Sequence, residues 1–531
     1  MQGIAEADAQ ALSLIVKAIG ADKVDNSDDI REYYANDIFW QPGIEPLAVI
    51  SPSTQREAAE AVRVAIENGI AIVPRGGGMS YTKGYLPDRA RSLVIDTRNL
   101  NRIVEINAKD GYVTVEAGAT WAALKDALAS SGMRSGYWGP LSGVNATIGG
   151  ALSQNSAFFG SSRYGTVAES VLGVTVVLAD GSIATTGSGG RKGARPFTRY
   201  GGPDMTGIFL GDNGALGLKL SATLAIRPKP PETGFLSLGF EKFTDMAATQ
   251  VEMARSGLVT EGFGIDRDKA LQSASVNRLS DNVDALKKVV GQGKSLLSGL
   301  KDAAKIATSG LDWLTGHNYS LHIVTEAETA EALCTNLAVL AEIGERRGAI
   351  LPDSIPRVMR SKPFSPVRGM LGKNGERWVP IHAVFPLSEA ERVVEANEAF
   401  FAERAGWLKE KGILYTVMTM TVGQSFFIEP AFYWLDELTP LHIRSVGDAI
   451  KPDWKRRPAN EDSRNAVVEL RRATQEFYVS LGGASWQVAR DYPYREVLDD
   501  GTRGLLDALK RAVDPEGLMN PGSLGLAATF Q

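Results

Sequence analysis

Hydrophobic and polar positions along the first 230 residues follow two kinds of spacing. Residues 54–68 repeat alanine and valine at helical spacing, with Thr54 as N-cap, Glu57 completing a capping box and Gly69 ending the helix. Short runs rich in β-branched residues predict strands. The predicted strands are 71–73, 92–96, 103–107, 112–117, 171–178, 182–186 and 218–227, and a second helix is predicted over 121–130.

The pattern changes after the proline cluster Pro228-Lys229-Pro230-Pro231. Beyond it, long helical patterns at 328–347 and 388–411 alternate with strands, which predicts a separate α+β domain. Within this region, residues 291–298 read as a loop. Its Gly-Lys-Ser is not a nucleotide P-loop, because position 288 is lysine where that motif needs glycine.

Composition narrows the class of protein. The chain has 531 residues, of which 44% are hydrophobic and 22% charged, and its net charge is −5. This negative net charge does not indicate a basic surface that would bind nucleic acid or an anionic membrane. The single cysteine, Cys334, excludes an internal disulfide, and we see neither a secretory signal nor an apolar run of about 20 residues. We therefore expect a soluble cytoplasmic protein with no membrane span.

Two glycine-rich turns carry the first chemical information. Residues 74–80 read Pro-Arg-Gly-Gly-Gly-Met-Ser directly after a predicted strand, and residues 146–150 read Ala-Thr-Ile-Gly-Gly. Glycine lets a backbone approach a phosphate closely and aim several N–H groups at it. No complete G-x-G-x-x-G is present, so a Rossmann dinucleotide site is not expected. The pair predicts one long phosphate-bearing ligand that is held at two points.

These turns belong to an ordered set of motifs that resembles the FAD-linked oxidases of the vanillyl-alcohol oxidase and para-cresol methylhydroxylase (PCMH) superfamily. Each motif alone is weak, but their order and spacing are specific. The motifs are Pro52-Ser53-Thr54, residues 75–80, Val115-Glu116-Ala117-Gly118-Ala119, residues 146–150, Gly160, Tyr164-Gly165, residues 209–217 and residues 514–522.

The resemblance implies an α+β protein in which a two-part PCMH-type FAD-binding domain is interrupted by an inserted α+β cap (substrate) domain. We expect the FAD-binding domain at 1–230, the cap at 231–480 and a C-terminal segment at 481–531 that returns to the FAD domain. The residues expected to bind FAD are Pro74, Arg75, Gly76, Gly77, Gly78, Met79, Ser80, Pro140, Leu141, Ser142, Ala146, Thr147, Gly149, Gly150, Asn155, Gly160, Tyr164, Gly217, Leu218 and Asn520.

The chain departs from the family pattern in ways that bear on the chemistry. Many relatives link the flavin covalently to a histidine in the first loop, where this chain has Met79. We therefore expect non-covalent FAD, with a tether from cap residues His382 or His442 as the alternative. The histidine-rich metal motif of 2-hydroxy acid enzymes is absent from residues 419–427, so we expect no metal site. The aspartate base of the phenol oxidases is also absent, since Asn145 stands near its place.

Candidate catalytic residues come from the expected cap and the segment that follows it. An aromatic stretch that includes Tyr415, Phe426, Phe427, Phe432, Tyr433 and Trp434 predicts an apolar slot over the flavin. A histidine or tyrosine would take a proton, and an arginine would stabilise negative charge on the reduced ring. The candidates are His382, Tyr415, His442, Arg490 and Tyr492.

We therefore expect an FAD-dependent oxidoreductase, either an oxidase or a dehydrogenase. It would transfer a hydride to flavin N5 from a C–H next to a hydroxyl or an aromatic ring, in an aromatic alcohol or phenol. The main alternative is a D-2-hydroxy acid dehydrogenase that uses Arg357, Arg360 or Arg368. Two further alternatives are a flavin-carrying subunit of a larger redox complex and a redox-neutral flavin transferase. The expected partners are an organic substrate and an electron acceptor (oxygen or a redox protein), and the resemblance implies a homodimer.

Overall fold

The structure is a computed structural model that describes residues 6–40, 43–276, 316–364 and 367–526. The loop predicted at 291–298 lies outside the described residues. Within the described ranges, no helix is long and apolar enough to cross a membrane.

The first sheet forms the N-terminal layer. It has the order β1-β2-β4-β3, in which β2, β4 and β3 are parallel. Its strands are Val24–Asp25 (β1), Ala48–Ile50 (β2), Ala71–Arg75 (β3) and Ser92–Asp96 (β4). Helices Glu6–Ile19 (α1) and Gln55–Glu67 (α3) share an apolar core with this sheet, and Asp28–Tyr34 (α2) also contacts it. Because β2, β3 and β4 are almost wholly buried, they are continuous apolar runs rather than alternating ones.

The second sheet is antiparallel and lies beside the first. Its order is β5-β6-β10-β8-β9, and β7 pairs with the far end of β10. Its strands are Ile103–Asn107 (β5), Tyr112–Glu116 (β6), Met133–Ser135 (β7), Val171–Val177 (β8), Ile183–Thr185 (β9) and Leu218–Pro228 (β10). Helices Trp121–Ala129 (α4), Ile148–Ser153 (α5) and Ser161–Tyr164 (α6) lie between these strands in the chain.

The third sheet begins directly after the proline cluster. It has eight strands in the order β14-β11-β13-β12-β17-β18-β15, and β16 also pairs with β18. Its strands are Glu232–Phe240 (β11), Val259–Asp266 (β12), Tyr319–Ala327 (β13), Ala349–Leu351 (β14), Arg377–Pro380 (β15), Ala383–Pro386 (β16), Leu414–Val422 (β17) and Ser425–Trp434 (β18). The described helices of this part are Phe243–Arg255 (α7), Arg267–Val276 (α8), Ala330–Glu345 (α9), Ser354–Ser361 (α10), Ala390–Glu410 (α11), Pro440–Val446 (α12), Pro452–Lys455 (α13) and Glu461–Ser480 (α14).

The last described residues return to the first sheet. After helix Asp500–Val513 (α15), Ile72 N–H donates to the Leu518 carbonyl at 2.8 Å and Asn520 N–H donates to the Ile72 carbonyl at 2.7 Å. The buried Lys510 ammonium donates to the carbonyls of Ala215 and Met519. These bonds join the end of the chain to the strand that leads into the first glycine loop.

Most predicted elements agree with the structure to within two or three residues. Thr54 caps α3 by accepting the Glu57 N–H at 3.1 Å, while the Glu57 carboxylate accepts the N–H of Ser53 rather than that of Thr54. The proline cluster separates two sheets as expected, although β10 itself extends to Pro228. The proposed domain limits at 230 and 480 stay a prediction, and the described strands of the third sheet all lie between Glu232 and Trp434.

A buried cluster of charges joins the second sheet to the third. Arg134 on β7 makes a bidentate pair with Glu326 on β13, at 2.6 and 2.8 Å. Arg360 on α10 contacts both Glu326 and Glu261, and Glu261 also accepts a bond from an indole N–H. Burial favours the neutral carboxyl, but the two arginines hold the pKa of Glu326 below its usual value. The two sheets therefore meet through charges that compensate one another away from water.

We expect Glu326→Gln to lower the free energy of unfolding by about 3–5 kcal/mol, because it leaves two buried guanidinium groups with too little negative charge. The matched control is Glu342→Gln on α9, where Glu342 forms an exposed pair with Arg346 and the loss should be about 0.5 kcal/mol. Urea unfolding of the three proteins measures both values. Equal losses for the two variants would contradict the importance of the buried cluster.

Candidate functional site

A cavity of about 460 Å³ lies where the three sheets meet. One wall is formed by the two glycine-rich loops and residues at the start of β10. The opposite wall is formed by strands and loops of the third sheet. The lining of the first wall includes Pro74, Arg75, Gly76, Gly77, Gly78, Met79, Ser80, Pro140, Leu141, Ser142, Ala146, Thr147, Gly149, Gly150 and Leu218, all of which the sequence predicted to bind FAD.

The two loops touch closely at two glycines of the first loop. A methyl group added at Gly76 would overlap the Thr147 hydroxyl, and one added at Gly77 would overlap the Asn145 carbonyl. Neither glycine has a positive φ, so the requirement for glycine arises from close approach and not from backbone conformation. Residues 70 positions apart in the sequence therefore form one continuous backbone surface.

The first loop leaves its N–H groups available on this surface. Tyr85 donates its hydroxyl to the carbonyls of Gly78 and Ser80, at 2.8 and 3.0 Å. The N–H groups of residues 76–80 make no hydrogen bond to any described residue. A row of such donors beside a cavity suits an anionic group such as a phosphate.

A buried cation lies behind the same loop. The Arg75 guanidinium lies over the rings of Tyr33, Tyr34 and Tyr85, at 5.0, 4.3 and 4.7 Å from their centroids. It forms no ion pair with a described carboxylate, and its Nη1 has no hydrogen-bond partner. Three aromatic faces hold the guanidinium in place and leave its charge uncompensated. The loop is thus backed by positive charge, and this wall fits the diphosphate of FAD.

Five residues predicted to bind FAD lie outside the lining of the cavity. A methyl at Gly160 would overlap the Gly136 carbonyl, and the Tyr164 ring packs under Arg227. Asn520 donates to the carbonyls of Gly84 and Asn213, at 2.9 and 2.6 Å. Asn155 has a left-handed backbone conformation. Gly217 packs closely against Phe209. For all five, FAD binding stays a prediction.

The opposite wall is formed by one face of a β-hairpin. On β18, Phe427, Glu429 and Tyr433 line the cavity, whereas Phe426, Phe432 and Trp434 point to the other side and are fully buried in the core. Successive side chains of a strand alternate between faces, so the predicted aromatic stretch divides between wall and core. On β17, Met418 and Met420 pair with Glu429 and Phe427 and extend the same wall.

His382 and Tyr492 lie directly behind this wall. Trp486 N–H donates to His382 Nε2 at 3.0 Å, so the proton of the neutral ring is on Nδ1 and is donated to the Tyr492 oxygen at 2.8 Å. Burial lowers the pKa of His382 to about 3. The imidazole stacks on Phe427, which itself lines the cavity. The pair holds the wall in position, and the predicted proton-transfer role of either residue stays a prediction.

The other three catalytic candidates also make structural contacts. Tyr415 stacks on Phe401 at 3.9 Å and accepts a hydrogen bond from Asn397. His442 caps the start of α12, and burial lowers its pKa to about 3. Arg490 donates to backbone carbonyls, including that of Pro521 at 2.8 Å. None of the three is among the described residues that line the cavity.

Sequence reasoning did not select two charged residues of the cavity wall, Lys269 and Glu429. Glu429 could have been found, because it lies two positions from Phe427 and four from Tyr433 in the aromatic stretch, and those spacings share a face wherever such a stretch forms a strand, as β18 does. Lys269 gives no such signal, since it lies in the first turn of a helix of ten residues. Among the described residues, no group of three or more His, Cys, Asp or Glu side chains is arranged to hold a metal ion.

Comparison with known proteins agrees with the chemistry of the loop wall. Residues 46–187 match the FAD binding domain family. The chain is 26% identical over 305 residues to D-lactate dehydrogenase [cytochrome] 1, mitochondrial, of Saccharomyces cerevisiae, which is 55% of this chain and 50% of that protein. It is 31% identical over 239 residues to glycolate oxidase subunit GlcD of Bacillus subtilis, which is 45% of this chain and 48% of that protein. The matched region thus spans about half the length of these two relatives.

One solved structure shares the fold over nearly the whole chain. It is p-cresol methylhydroxylase with substrate bound, which superposes with a TM-score of 0.74 at 17% sequence identity. The superposition covers 99% of this chain and 98% of that one. The predicted α+β fold, with a PCMH-type FAD-binding part and a further sheet, is therefore confirmed.

We expect Gly77→Ala to lose FAD, because the added methyl overlaps Asn145 and forces the two loops apart. The affinity for FAD should fall at least about tenfold, or ~1.4 kcal/mol. Gly504→Ala is the matched control, since an added methyl there meets nothing within 4 Å and the residue lies inside α15. The ratio of flavin absorbance to protein absorbance measures both variants. Full flavin content in Gly77→Ala would contradict the assigned contact.

Proposed function

We propose that this chain is an FAD-dependent oxidoreductase of the PCMH-type superfamily acting on an aromatic alcohol or phenol, since residues 46–187 match the FAD binding domain family and the fold resembles that of p-cresol methylhydroxylase. The observation that carries the proposal is the shape of the cavity. It runs without interruption from the donor-rich glycine loops to an apolar wall bearing Lys269, Glu429 and Tyr433. The cavity therefore has room for FAD along the glycine loops and for a substrate between FAD and the opposite wall.

The residues that would hold FAD follow from the loop wall. The N–H groups of residues 76–80 would bind the diphosphate, with Ser80 and Thr147 supplying hydroxyls and Arg75 supplying positive charge. When bound, FAD supplies a two-electron oxidant for a C–H bond. The protein's contribution is to orient the substrate, to exclude water and to accept a proton.

We propose that FAD is held without a covalent bond. Met79 lines the cavity at the position where many relatives carry the linking histidine. The alternative tethers, His382 and His442, are both buried outside the described lining of the cavity. Cys334 is exposed on α9, in the third-sheet part of the chain. Each of these groups would need to move to reach a ligand in the cavity.

The substrate wall supports an apolar molecule with a small polar end. Trp378, Met418, Met420 and Phe427 supply an aromatic and thioether surface suited to a ring. Among the described residues of this wall, the charged ones are Lys269 and Glu429, of opposite sign. A phenol or an aryl alcohol offers one hydroxyl for this polar pair and a flat apolar body for the rest.

The second candidate function is the oxidation of a 2-hydroxy acid. Two of the sequence relatives are named for D-lactate and glycolate, which are acids of this kind. The arginines considered for binding such a carboxylate are engaged elsewhere: Arg360 with Glu261 and Glu326, Arg357 with Asp353, and Arg368 with backbone carbonyls. In this candidate, Lys269 would have to bind the carboxylate without their help.

The purified protein should be yellow, and acid precipitation should release its flavin into the supernatant, because Met79 stands in the cavity wall where many relatives carry the linking histidine. Absorbance of the supernatant and the pellet checks this result. Flavin that stays with the pellet would contradict a non-covalent site and would turn attention to His382 and His442.

Under anaerobic conditions, 4-hydroxybenzyl alcohol should bleach the bound flavin without any other protein. D-Lactate and glycolate should bleach it much more slowly, because the apolar wall gives them little contact. Absorbance changes in a stopped-flow instrument measure the rates. Faster bleaching by the hydroxy acids would favour the second candidate, and bleaching by none of these compounds would favour a subunit that needs a partner.

A further inference from the structure

Three polar side chains interrupt the apolar wall of the cavity. Lys269 donates from Nζ to the Tyr433 hydroxyl oxygen at 3.1 Å, and its ammonium lies 5.5 Å from the centroids of both the Trp378 and Tyr433 rings. Glu429 shares the strand face of Tyr433. The Glu429 carboxylate makes no hydrogen bond or ion pair with any described residue. A carboxylate without a described protein partner, near an ammonium that donates to a phenol, is unusual in a largely apolar cavity wall.

The backbone fixes the positions of these groups. Asp266 accepts the N–H of Lys269 at 2.7 Å with one carboxylate oxygen and the N–H of Val417 at 2.9 Å with the other. This carboxylate joins the start of α8 to β17, the strand that pairs with β18. Glu429 lies opposite Met418 in that pairing. The ammonium and the carboxylate therefore approach the same end of the cavity from two rigid elements.

The two groups influence each other without touching. Burial raises the pKa of Glu429 to about 7, against an opposing effect of Lys269. Burial alone would lower the pKa of Lys269, but Tyr433 and Glu429 raise it above its usual value. Near neutral pH, Lys269 thus stays charged while Glu429 exists in both forms. The distance between them exceeds that of an ion pair, so each can bind a separate atom of a ligand.

We propose that Glu429 accepts the hydroxyl proton of the substrate, and that Lys269 and Tyr433 hold the substrate oxygen; this rests on the proposed FAD-dependent oxidation. In that step the O–H bond breaks and its proton goes to the Glu429 carboxylate. The C–H bond breaks, and its hydrogen leaves with the electron pair for FAD, the oxidant. The C–O single bond becomes C=O. The products are an aldehyde or ketone, a protonated Glu429 and reduced FAD.

The same two residues, Lys269 and Glu429, determine which substrate charge the site accepts. Lys269 and Glu429 balance each other when Glu429 is ionised, so a neutral alcohol enters without adding uncompensated charge. A hydroxy acid adds a second carboxylate beside Glu429, with one ammonium to compensate both. It fits only when Glu429 is protonated, and a protonated Glu429 cannot accept the hydroxyl proton. The wall therefore selects against 2-hydroxy acids through charge.

The rate of flavin reduction should depend on pH, because only the ionised form of Glu429 can accept the hydroxyl proton. Anaerobic flavin reduction by 4-hydroxybenzyl alcohol should speed up as the pH rises through about 7. Four titratable groups lie around Glu429: Lys269 on α8, Tyr433 on the same strand, Tyr81 after the first loop and Tyr492 in the C-terminal segment. A fifth, Asp266, lies close to Lys269. Burial raises the pKa of both Tyr81 and Tyr492, so these two stay neutral in this range, while it also raises the pKa of Asp266 to about 7, and Glu429→Gln separates the two carboxyls.

The first test uses flavin reduction by the holoenzyme. Glu429→Gln should slow it by about 10²–10⁴-fold and abolish the rise with pH, while FAD content stays unchanged. Lys269→Met should keep the rise but move it about one pH unit higher, because the carboxylate loses a nearby cation. The matched controls are Glu403→Gln, whose side chain is exposed, and Lys409→Met at an exposed position of α11. A wild-type rate and pH profile in Glu429→Gln would overturn the proposal.

The second test needs no turnover and so separates this proposal from the proposed function. Changes in the flavin spectrum on titration report binding of 4-hydroxybenzyl alcohol and of 4-hydroxymandelate, which differ by one carboxylate. The wild type should bind the alcohol more tightly, and the preference should grow as the pH rises through about 7. Glu429→Gln should tighten mandelate binding at least about tenfold and remove that pH effect.

The outcomes of the two tests are distinguishable. If no alcohol reduces the wild-type flavin but the binding pattern holds, the proposed activity fails and the charge role of Glu429 stands. If alcohols reduce the flavin and Glu429→Gln changes neither rate nor binding, the further inference alone fails. Tighter binding of mandelate than of the alcohol by the wild type would also overturn it.

Discussion

The contact between two glycine-rich loops is the constraint on which the site depends. Gly76 and Gly77 have no side chains, so the first loop can lie directly against Asn145 and Thr147 of the second. This contact turns two distant segments into one surface of N–H donors. Any side chain at these positions would separate the loops, and the first sheet would no longer meet the second at the cavity.

The position of the third sheet depends on a different kind of contact. Its strands meet the second sheet through Arg134, Arg360, Glu261 and Glu326, which are charged and buried. Buried charges stabilise an arrangement only when each has its partners, so a shift of one sheet against the other would leave buried charges unpaired. Together with the apolar cores under the β17–β18 hairpin, they favour the arrangement in which one face of that hairpin lies opposite the glycine loops.

On that hairpin face an apolar slot carries the carboxylate that we propose as the proton acceptor. Aromatic and methionine side chains supply most of its surface, and burial among them raises the pKa of Glu429 towards neutrality. Lys269 keeps that shift within a useful range because it contributes a positive charge without forming an ion pair. In the proposed function, a single low-dielectric environment would thus favour binding of an aromatic ring and raise the pKa of the proton acceptor beside it.

The sequence by itself determined the cofactor and its loops, because phosphate binding by backbone requires glycines at set places in local turns. It also determined most strands and helices, since their spacing is local. Only the tertiary structure decided the chemistry of the opposite wall. His382 and Tyr492 looked catalytic in the sequence, yet they bond to each other behind Phe427. Glu429 and Lys269 come together from elements 160 residues apart, and no local pattern encodes which faces of distant elements share a cavity.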